Sequence, residues 1–187
     1  MAAEPKQLTD FLIALGIDKL PHSGKSYLAH LIAVKRDLQS WGCEEDVCLA
    51  GMFHSIYGTE MFQGFTLPLE RREALRALIG PRAERLAYLN CAMDRTSFDE
   101  NLLGENAPTN EGPFLVRDRI ADEPFELARR DFDDLCRVHL CDWLEQVSRS
   151  GMWDYREKSY AAIAARLGGV AEDAHRRVYS APRCEPA

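Results

Sequence analysis

The seven residues from 47 to 53 are apolar nearly all round, and this run limits what the chain can fold into more than any other feature. A helix that has no polar face must be covered by protein on every side. The run therefore predicts a buried central helix from Cys43 to Ile56, with other helices packed around it. A histidine, His54, stands directly at the end of the run.

Apolar residues recur at spacings of three and four over most of the chain, which is the period of an amphipathic helix. Prolines and glycines mark several of the predicted helix ends. The further predicted helices span Leu8–Leu15, Gly24–Ser40, Leu69–Ile79, Arg82–Met93, Arg156–Leu167 and Val170–Tyr179. We expect an all-α fold, a compact helical bundle with a short irregular or hairpin insertion. Residues 1–187 are expected to form one domain, with a frayed tail at 180–187.

Three stretches after residue 93 lead to separate predictions. Residues 94–112 are polar and rich in Asn, Asp and Gly, so we predict an irregular segment that forms a lid or loop over a pocket. Phe114–Ile120 alternates loosely and is predicted to form a short strand or hairpin arm. The longest helix is predicted to follow, with Asp122 as its N-cap, Pro124 in its first turn and its end near Ser150.

The charge of the chain argues against two classes of partner. The formal net charge is −7, whereas broad binding to nucleic acid or to an anionic membrane needs a basic surface. No secretory signal is recognisable, and no apolar segment approaches the roughly 20 residues that cross a bilayer. We therefore expect a soluble, cytoplasmic protein. The six cysteines show neither CxxC nor zinc-knuckle spacing and are expected to be buried, reduced thiols.

Three side chains that are costly to bury lie on predicted apolar helices. His30 sits mid-helix among apolar neighbours, His54 ends the central helix, and Asp142 precedes Trp143 on the longest helix. Two imidazoles and one carboxylate from three helices are the minimal ligand set of a catalytic divalent-metal site. The alternative, which residue types alone favour, is that both histidines are hydrogen-bonded core residues and that Asp142 caps or pairs locally.

The order of these three residues resembles that of the HD-domain superfamily of metal-dependent helical enzymes. In that family a helical His precedes a His-Asp pair at the end of a buried helix, and a distant Asp follows on a later helix. The resemblance spans roughly Ser23 to Val147, but Ser55 replaces the Asp of the pair. More closely, the run Phe53–Thr59 is similar to a branch catalogued only as a domain of unknown function, which brings no activity with it.

The resemblance implies one divalent transition metal (Fe, Mn, Ni or Zn) held by His30, His54 and Asp142. In dinuclear members the paired Asp bridges two metals, which a neutral serine does poorly. Those members also place further histidines before the last Asp, whereas no His lies between His54 and His139 here. A single metal, or none, is the resulting expectation.

Further residues are candidates for a role at the same site. His139, three residues before Asp142 on one helical face, and Glu60 are the candidate general bases. The candidate substrate-binding residues are His22, Lys25, Ser55, Tyr57 and Thr59. Candidate anion contacts besides Lys25 are Arg95, Arg117 and Arg119, although a solvated face explains each of them more simply.

Three functions are consistent with these residues. The first is a metal-dependent hydrolase of a phosphate ester or nucleotide, by analogy with most of the superfamily. The second is a metal-free, non-catalytic module that binds a ligand in the same pocket. The third is a mononuclear non-haem iron oxygenase, because two histidines and one carboxylate also hold Fe(II). Each of these functions implies a small-molecule partner, and a positively charged pocket would select an anionic one. None of the three specifies an oligomeric state.

Overall fold

The computed structural model describes residues 4–22, 25–105, 107–108 and 111–182, with the backbone alone at 21–22. This part of the chain is mostly helical, which confirms the all-α fold with a small hairpin. Its helices are α1 (Pro5–Ala14), α2 (Tyr27–Ser40), α3 (Glu45–Met52), α4 (Arg72–Ile79), α5 (Pro81–Ala92), α6 (Arg95–Leu103), α7 (Arg129–Ser150), α8 (Glu157–Leu167) and α9 (Gly169–Tyr179). Short 3-10 helices span Ile17–Lys19 and Leu69–Arg71, and the strands are β1 (Pro21–His22), β2 (Lys25–Ser26), β3 (Phe114–Asp118) and β4 (Glu123–Leu127).

Helix α3 is the buried centre of the fold, as its apolar sequence predicts. Every residue from Val47 to Met52 is buried, and the helix packs against α2, α5 and α7. It also joins the two apolar clusters that make up the core, since Cys48 belongs to one and the adjacent Leu49 to the other. The short α3 therefore fixes the relative positions of the longer helices around it.

Helices α2 and α3 approach each other closely because Gly51 has no side chain. A Cβ atom at Gly51 would lie 2.2 Å from Cδ1 of Leu38 on α2. This contact brings the chain just beyond α3 next to the middle of α2. Helix α7 crosses both of them, and its buried residues run from Phe132 to Val147.

The prediction of an irregular segment at residues 94–112 is wrong for the first half of that segment, which forms α6. Asp94 caps this helix, because its carboxylate accepts a hydrogen bond from the Ser97 amide at 2.8 Å. Phe98 and Asn101 are the buried residues of α6, so its apolar pattern is too sparse to reveal a helix. Residues 106, 109 and 110 lie outside the described part of the chain.

The predicted start of the longest helix is also wrong, because residues 123–127 form β4. This strand pairs antiparallel with β3, whose prediction as a hairpin arm is confirmed. The Asp118 carboxylate accepts hydrogen bonds from the amides of Ile120 and Ala121 and so forms the turn. Pro124 is tolerated in an edge strand of a two-stranded sheet, and the helix itself begins at Arg129.

The remaining expectations concern cysteines, the membrane and the tail. The five described cysteines are all free thiols, whereas Cys184 lies outside the described residues, as does the predicted tail beyond residue 182. No helix in the described ranges is long and apolar enough to cross a membrane.

Candidate metal centre

The fold brings His30, His54 and Asp142 together in its interior. The Asp142 Oδ1 atom lies 3.1 Å from His30 Nε2 and 3.2 Å from His54 Nε2. The two imidazole rings are nearly perpendicular, at 86°, with their centroids 5.2 Å apart. All three residues are buried, with exposed fractions of 0%, 3% and 8% respectively. We refer to these three residues as the triad.

Each member of the triad comes from a different packed element. His30 lies on α2 and Asp142 on α7, while His54 follows the end of α3, which Gly51 holds close to α2. The His54 backbone is also fixed, because its carbonyl accepts a hydrogen bond from the Asn90 side chain at 2.7 Å. Two members of the triad therefore lie on helices, and the third lies in the turn directly after a buried helix.

Hydrogen bonds at the far side of both rings fix the direction of their Nε2 atoms. His30 Nδ1 donates to the Glu145 carboxylate at 2.5 Å, and His54 Nδ1 donates to the Gly51 carbonyl at 2.8 Å. A neutral imidazole whose Nδ1 carries the proton presents a lone pair at Nε2. In that tautomer both Nε2 lone pairs are available to a metal, as in sites whose histidines are held by outer partners. Without a metal, burial opposes a charge on His30, but Asp142 and Glu145 outweigh it and raise the pKa of that imidazole, so it can also donate from Nε2 to Asp142 at 3.1 Å.

A second layer of side chains holds the triad in place. Glu145 also accepts hydrogen bonds from Lys25 and, at 2.6 Å, from Arg149. Gln146 donates to Asp142 Oδ1 at 2.8 Å. Glu145 and Gln146 were not predicted from the sequence, yet their spacing of three and four residues from Asp142 places them on the same face of α7.

The charges around the triad keep its carboxylates ionised. Burial favours the neutral acid, but His54 and His30 outweigh it and hold the pKa of Asp142 well below its usual range. Burial likewise opposes ionisation of Glu145, whose pKa is nevertheless lowered by His30, Lys25 and Arg149. Asp142 is therefore available as an anionic ligand.

The separations within the triad fit a metal ion. Nitrogen and oxygen ligands at about 2.0–2.2 Å from one metal lie about 2.8–3.6 Å apart when they are neighbours in octahedral or tetrahedral coordination. The two measured nitrogen–oxygen separations, 3.1 and 3.2 Å, fall inside this interval. The three ligand atoms all lie within 4.8 Å of one another. The donor set of two imidazoles and a carboxylate suits divalent transition metals.

A cavity of about 180 Å³ opens onto the triad. Seven of its fifteen described lining residues are aromatic residues or methionines, and the other eight are polar. Besides the triad, the lining residues are Tyr27, Ser55, Thr59, Met61, Phe62, Arg95, Trp143, Gln146, Ser150, Met152, Tyr155 and Tyr160. Small-molecule sites likewise combine apolar walls with convergent polar groups.

Ser55 and Thr59, two of the predicted substrate-binding residues, line this cavity. The Ser55 hydroxyl forms a hydrogen bond with the hydroxyl of Tyr27, whose ring stacks beside His30. The Thr59 hydroxyl accepts a hydrogen bond from the Phe62 amide at 3.1 Å. Both hydroxyls therefore have partners within the chain.

Two further predicted substrate-binding residues, Tyr57 and Lys25, do not line the cavity. The Tyr57 hydroxyl donates to buried Glu84 at 2.8 Å, outside the set that lines the cavity. The Lys25 ammonium binds Glu145 and so supports the triad from behind. The side chain of His22 lies outside the part of the chain that the structure describes.

The two predicted bases do not line the cavity either. His139 is buried, and its Nε2 atom accepts a hydrogen bond from Arg156 at 2.7 Å. Burial and the positive charges of Arg156 and Arg95 hold the pKa of His139 well below its ordinary range, so the ring stays neutral. Glu60 lies at the surface and pairs with Arg95 at 3.6 Å.

The three candidate anion contacts differ in their surroundings. Arg95 lines the cavity, as described above. Arg117 is exposed and pairs with Asp122, and Arg119 donates to the backbone carbonyls of Gly58 and Cys91. Arg95 is the one of the three that a ligand in the cavity can reach.

The comparisons with known proteins add one similarity. A family model described as a domain of unknown function (DUF6817) matches residues 11–95, less than half of the chain. The matched stretch contains His30 and His54 but ends before Asp142. No curated protein and no solved structure matches the chain.

Proposed function

We propose that this chain is a metal-dependent hydrolase with a mononuclear centre at His30, His54 and Asp142, acting on a small phosphate ester or nucleotide. The observation that carries the proposal is the convergence of two imidazole Nε2 atoms on an ionised, buried carboxylate, while both Nδ1 atoms are tied to acceptors. A divalent metal held there would activate water as a nucleophile and polarise a phosphoryl oxygen.

The residues around the centre have defined roles in this proposal. Glu145 orients His30, and Gln146 orients Asp142 through its Oδ1 atom. Among the described residues that line the cavity, Asp142 is the one carboxylate. Its second oxygen, Oδ2, is therefore our candidate acceptor for the proton that the attacking water loses. His139 and Glu60, the bases expected from the sequence, do not line the cavity.

The proposal of a single metal rests on Ser55. Its hydroxyl is neutral and forms a hydrogen bond with Tyr27, so it supplies no charge that could bridge two cations. The resemblance to the HD-domain superfamily supports the hydrolase class by analogy of motif order, whereas the site itself supports the metal.

A second candidate function is a mononuclear iron oxygenase. The ligand types favour it, because two histidines and one carboxylate hold Fe(II) with open positions in non-haem oxygenases. The identity of the bound metal separates the two candidates. Iron favours the oxygenase, and manganese, nickel or zinc favours the hydrolase.

The testing experiment is metal content by mass spectrometry on protein purified without chelator or affinity metal. We expect about one equivalent of a transition metal in the native protein and its loss in His54→Ala. His175→Ala is the matched control, because His175 lies on α9 and stacks on Tyr179, away from the triad. Far-UV circular dichroism checks that both variants remain folded.

The outcomes decide between the functions. Full metal occupancy in His54→Ala would exclude the triad as the metal site. No metal in any of the proteins, even after anaerobic loading with Fe(II) and Mn(II), would favour a metal-free ligand-binding module. Where metal binds, hydrolysis of phosphate monoesters by the loaded protein and by His54→Ala tests the reaction class.

A further inference from the structure

Arg95 is a nearly buried cation in the wall of the triad cavity. Its side chain is 11% exposed, although an arginine usually keeps its guanidinium in water. The residue opens helix α6 and reaches the cavity beside Tyr155, which comes from the segment between α7 and α8. A charge held this far from solvent normally has a close partner.

The partners of Arg95 leave much of its hydrogen-bonding capacity unused. A guanidinium carries five N–H donors, and among the described residues this one donates a single hydrogen bond, to the Tyr155 hydroxyl at 2.6 Å. The nearest carboxylate, Glu60, lies 3.6 Å from Nε, beyond hydrogen-bonding distance. Glu60 therefore neutralises Arg95 only in part.

Arg156, which lies near the same wall, shows what a satisfied arginine looks like in this protein. It donates two hydrogen bonds to the Asp99 carboxylate and a third to His139 Nε2. Its side chain is about as buried as that of Arg95, at 12% exposed. The two residues therefore differ in their partners and not in their depth, and Arg95 has more donors left over for a ligand than Arg156 has.

The size and the walls of the cavity limit that ligand. A cavity of roughly 150 Å³ is known to hold one benzene ring, and the volume here is about 180 Å³. Tyr27 and Phe62 line it near His30, with their centroids 4.5 Å apart. Trp143 and Tyr160, which are stacked at 4.9 Å, line it near Asp142. These walls favour a flat apolar group.

We infer that the cavity binds a small organic anion that consists of one aromatic ring and a phosphate or carboxylate group, with the anionic group on Arg95. The inference deepens the proposed function and rests on it for the reaction at the triad. Glu60 acts as an internal competitor, since its carboxylate already neutralises part of the Arg95 charge from 3.6 Å.

The test is calorimetric titration of the native protein and its variants with phenyl phosphate, benzoate, inorganic phosphate and phenol. Arg95→Met should weaken binding of the anion by about tenfold or more, because it removes a charge-assisted contact. Glu60→Gln should strengthen binding by about threefold, because it removes the competing charge. Arg117→Met is the matched control, since Arg117 is exposed and pairs with Asp122; it should bind like the native protein.

Comparison of the probes separates the parts of the inference. Preference for phenyl phosphate over benzoate, or the reverse, identifies the anionic group. Inorganic phosphate that binds as tightly as phenyl phosphate would overturn the aromatic part. Equal affinity in Arg95→Met and the native protein, or weaker binding in Glu60→Gln, would overturn the anion site. Glu60→Gln keeps the test decisive even if Arg95→Met does not fold.

Metal content separates this inference from the proposed function. The titrations are run on native and on chelator-treated protein, and the metal content of Arg95→Met is measured alongside. If the protein binds metal but Arg95→Met binds the anion as tightly as the native protein does, the metal centre is retained and the anion site is rejected. Anion binding that depends on Arg95 in a protein that takes up no metal would keep the anion site and reject the hydrolase.

Discussion

Two buried carboxylates of this protein, Glu84 and Asp142, are surrounded in opposite ways. Glu84 is fully buried on α5, and each of its polar neighbours is a donor. Arg72 Nε lies at 2.7 Å, Arg76 Nε at 2.9 Å and the Tyr57 hydroxyl at 2.8 Å from its oxygens. We refer to these four residues as the Glu84 cluster. Its donors and acceptors match, so it is complete without a ligand.

Asp142 lacks such a matched set. Gln146 is its one amide donor, and the two other close atoms are the Nε2 atoms of His30 and His54. With both Nδ1 atoms already donating, these Nε2 atoms are lone pairs when the rings are neutral. With neutral rings, acceptors thus face acceptors, which is an arrangement that a metal cation completes. Without a metal, burial opposes a charge on His30, but Asp142 and Glu145 outweigh it and raise the pKa of that imidazole, which favours a proton at its Nε2 atom. A buried charge alone does not indicate a functional site; the match between donors and acceptors separates the two clusters.

The largest effect that this comparison predicts is on stability at the Glu84 cluster. We expect Glu84→Ala to lower the free energy of unfolding by about 3 kcal/mol, because it leaves the guanidinium of Arg72 without its carboxylate. Metal content should not change. Urea denaturation measures the first quantity and mass spectrometry the second.

Glu73→Ala is the control for this variant, because Glu73 pairs with Arg76 at the exposed surface. Its effect should stay within about 0.5 kcal/mol. A loss of metal in Glu84→Ala would show that the Glu84 cluster and the triad are coupled. That result would contradict the conclusion that only the triad is a functional site.

The next effect concerns the second layer of the triad. Glu145→Gln keeps the shape of the side chain but weakens its hold on His30, so we expect affinity for Mn(II) to fall by about 10- to 100-fold. The unfolding free energy of the metal-free protein should change far less than in Glu84→Ala. Calorimetric titration with Mn(II) measures this affinity. An unchanged affinity would mean that His30 needs no orientation from Glu145.

A smaller effect is the pH dependence of stability at the Glu84 cluster. Burial favours the neutral acid, but the hydrogen bonds from Arg72, Arg76 and Tyr57 prevail and lower the pKa of Glu84 below its ordinary value of 4.5. The ionised form is thus favoured by folding. Its contribution is complete above the unfolded pKa and is lost as pH falls through the lower, folded pKa.

Urea midpoints measured between pH 7 and pH 3 test this direction. The native protein should lose stability in that interval more steeply than Glu84→Gln, whose amide does not titrate. Parallel curves for the two proteins would show that Glu84 is not the group responsible.

The sequence was a good guide wherever burial and helical period coincide. The run at 47–53 predicted the central α3. His30, His54 and Asp142 stood out as polar residues in apolar helices, but residue types alone favoured separate core roles, and the resemblance to the HD-domain superfamily was what favoured a common metal site. Their proximity follows from how α2, α3 and α7 pack. Sequence spacing does not predict the hydrogen-bond partner of each imidazole ring, and that partner determines which ring nitrogen faces the site.

The errors have physical causes as well. Pro124 suits a first helical turn as well as an edge strand, and only the pairing of β4 with β3 distinguishes them. Tyr57 follows His54 by three residues, yet the chain has left α3 by then, so helical spacing no longer predicts its direction. Its hydroxyl reaches Glu84 instead of the cavity. Local patterns thus fail at helix ends, where tertiary contacts determine the path.

The smallest predicted effect tests whether the Asp142 site can be extended toward a two-metal centre. Ser55→Asp places a second carboxylate in the cavity beside Tyr27, and we expect affinity for Mn(II) to rise by about threefold. The gain is small because the Tyr27 hydroxyl, which now bonds Ser55, would hydrogen-bond the new carboxylate. Tyr27→Phe in the same background should therefore raise the affinity further. If neither variant differs from the native protein in a Mn(II) titration, position 55 does not face the metal, and the single-metal proposal loses the support it takes from Ser55.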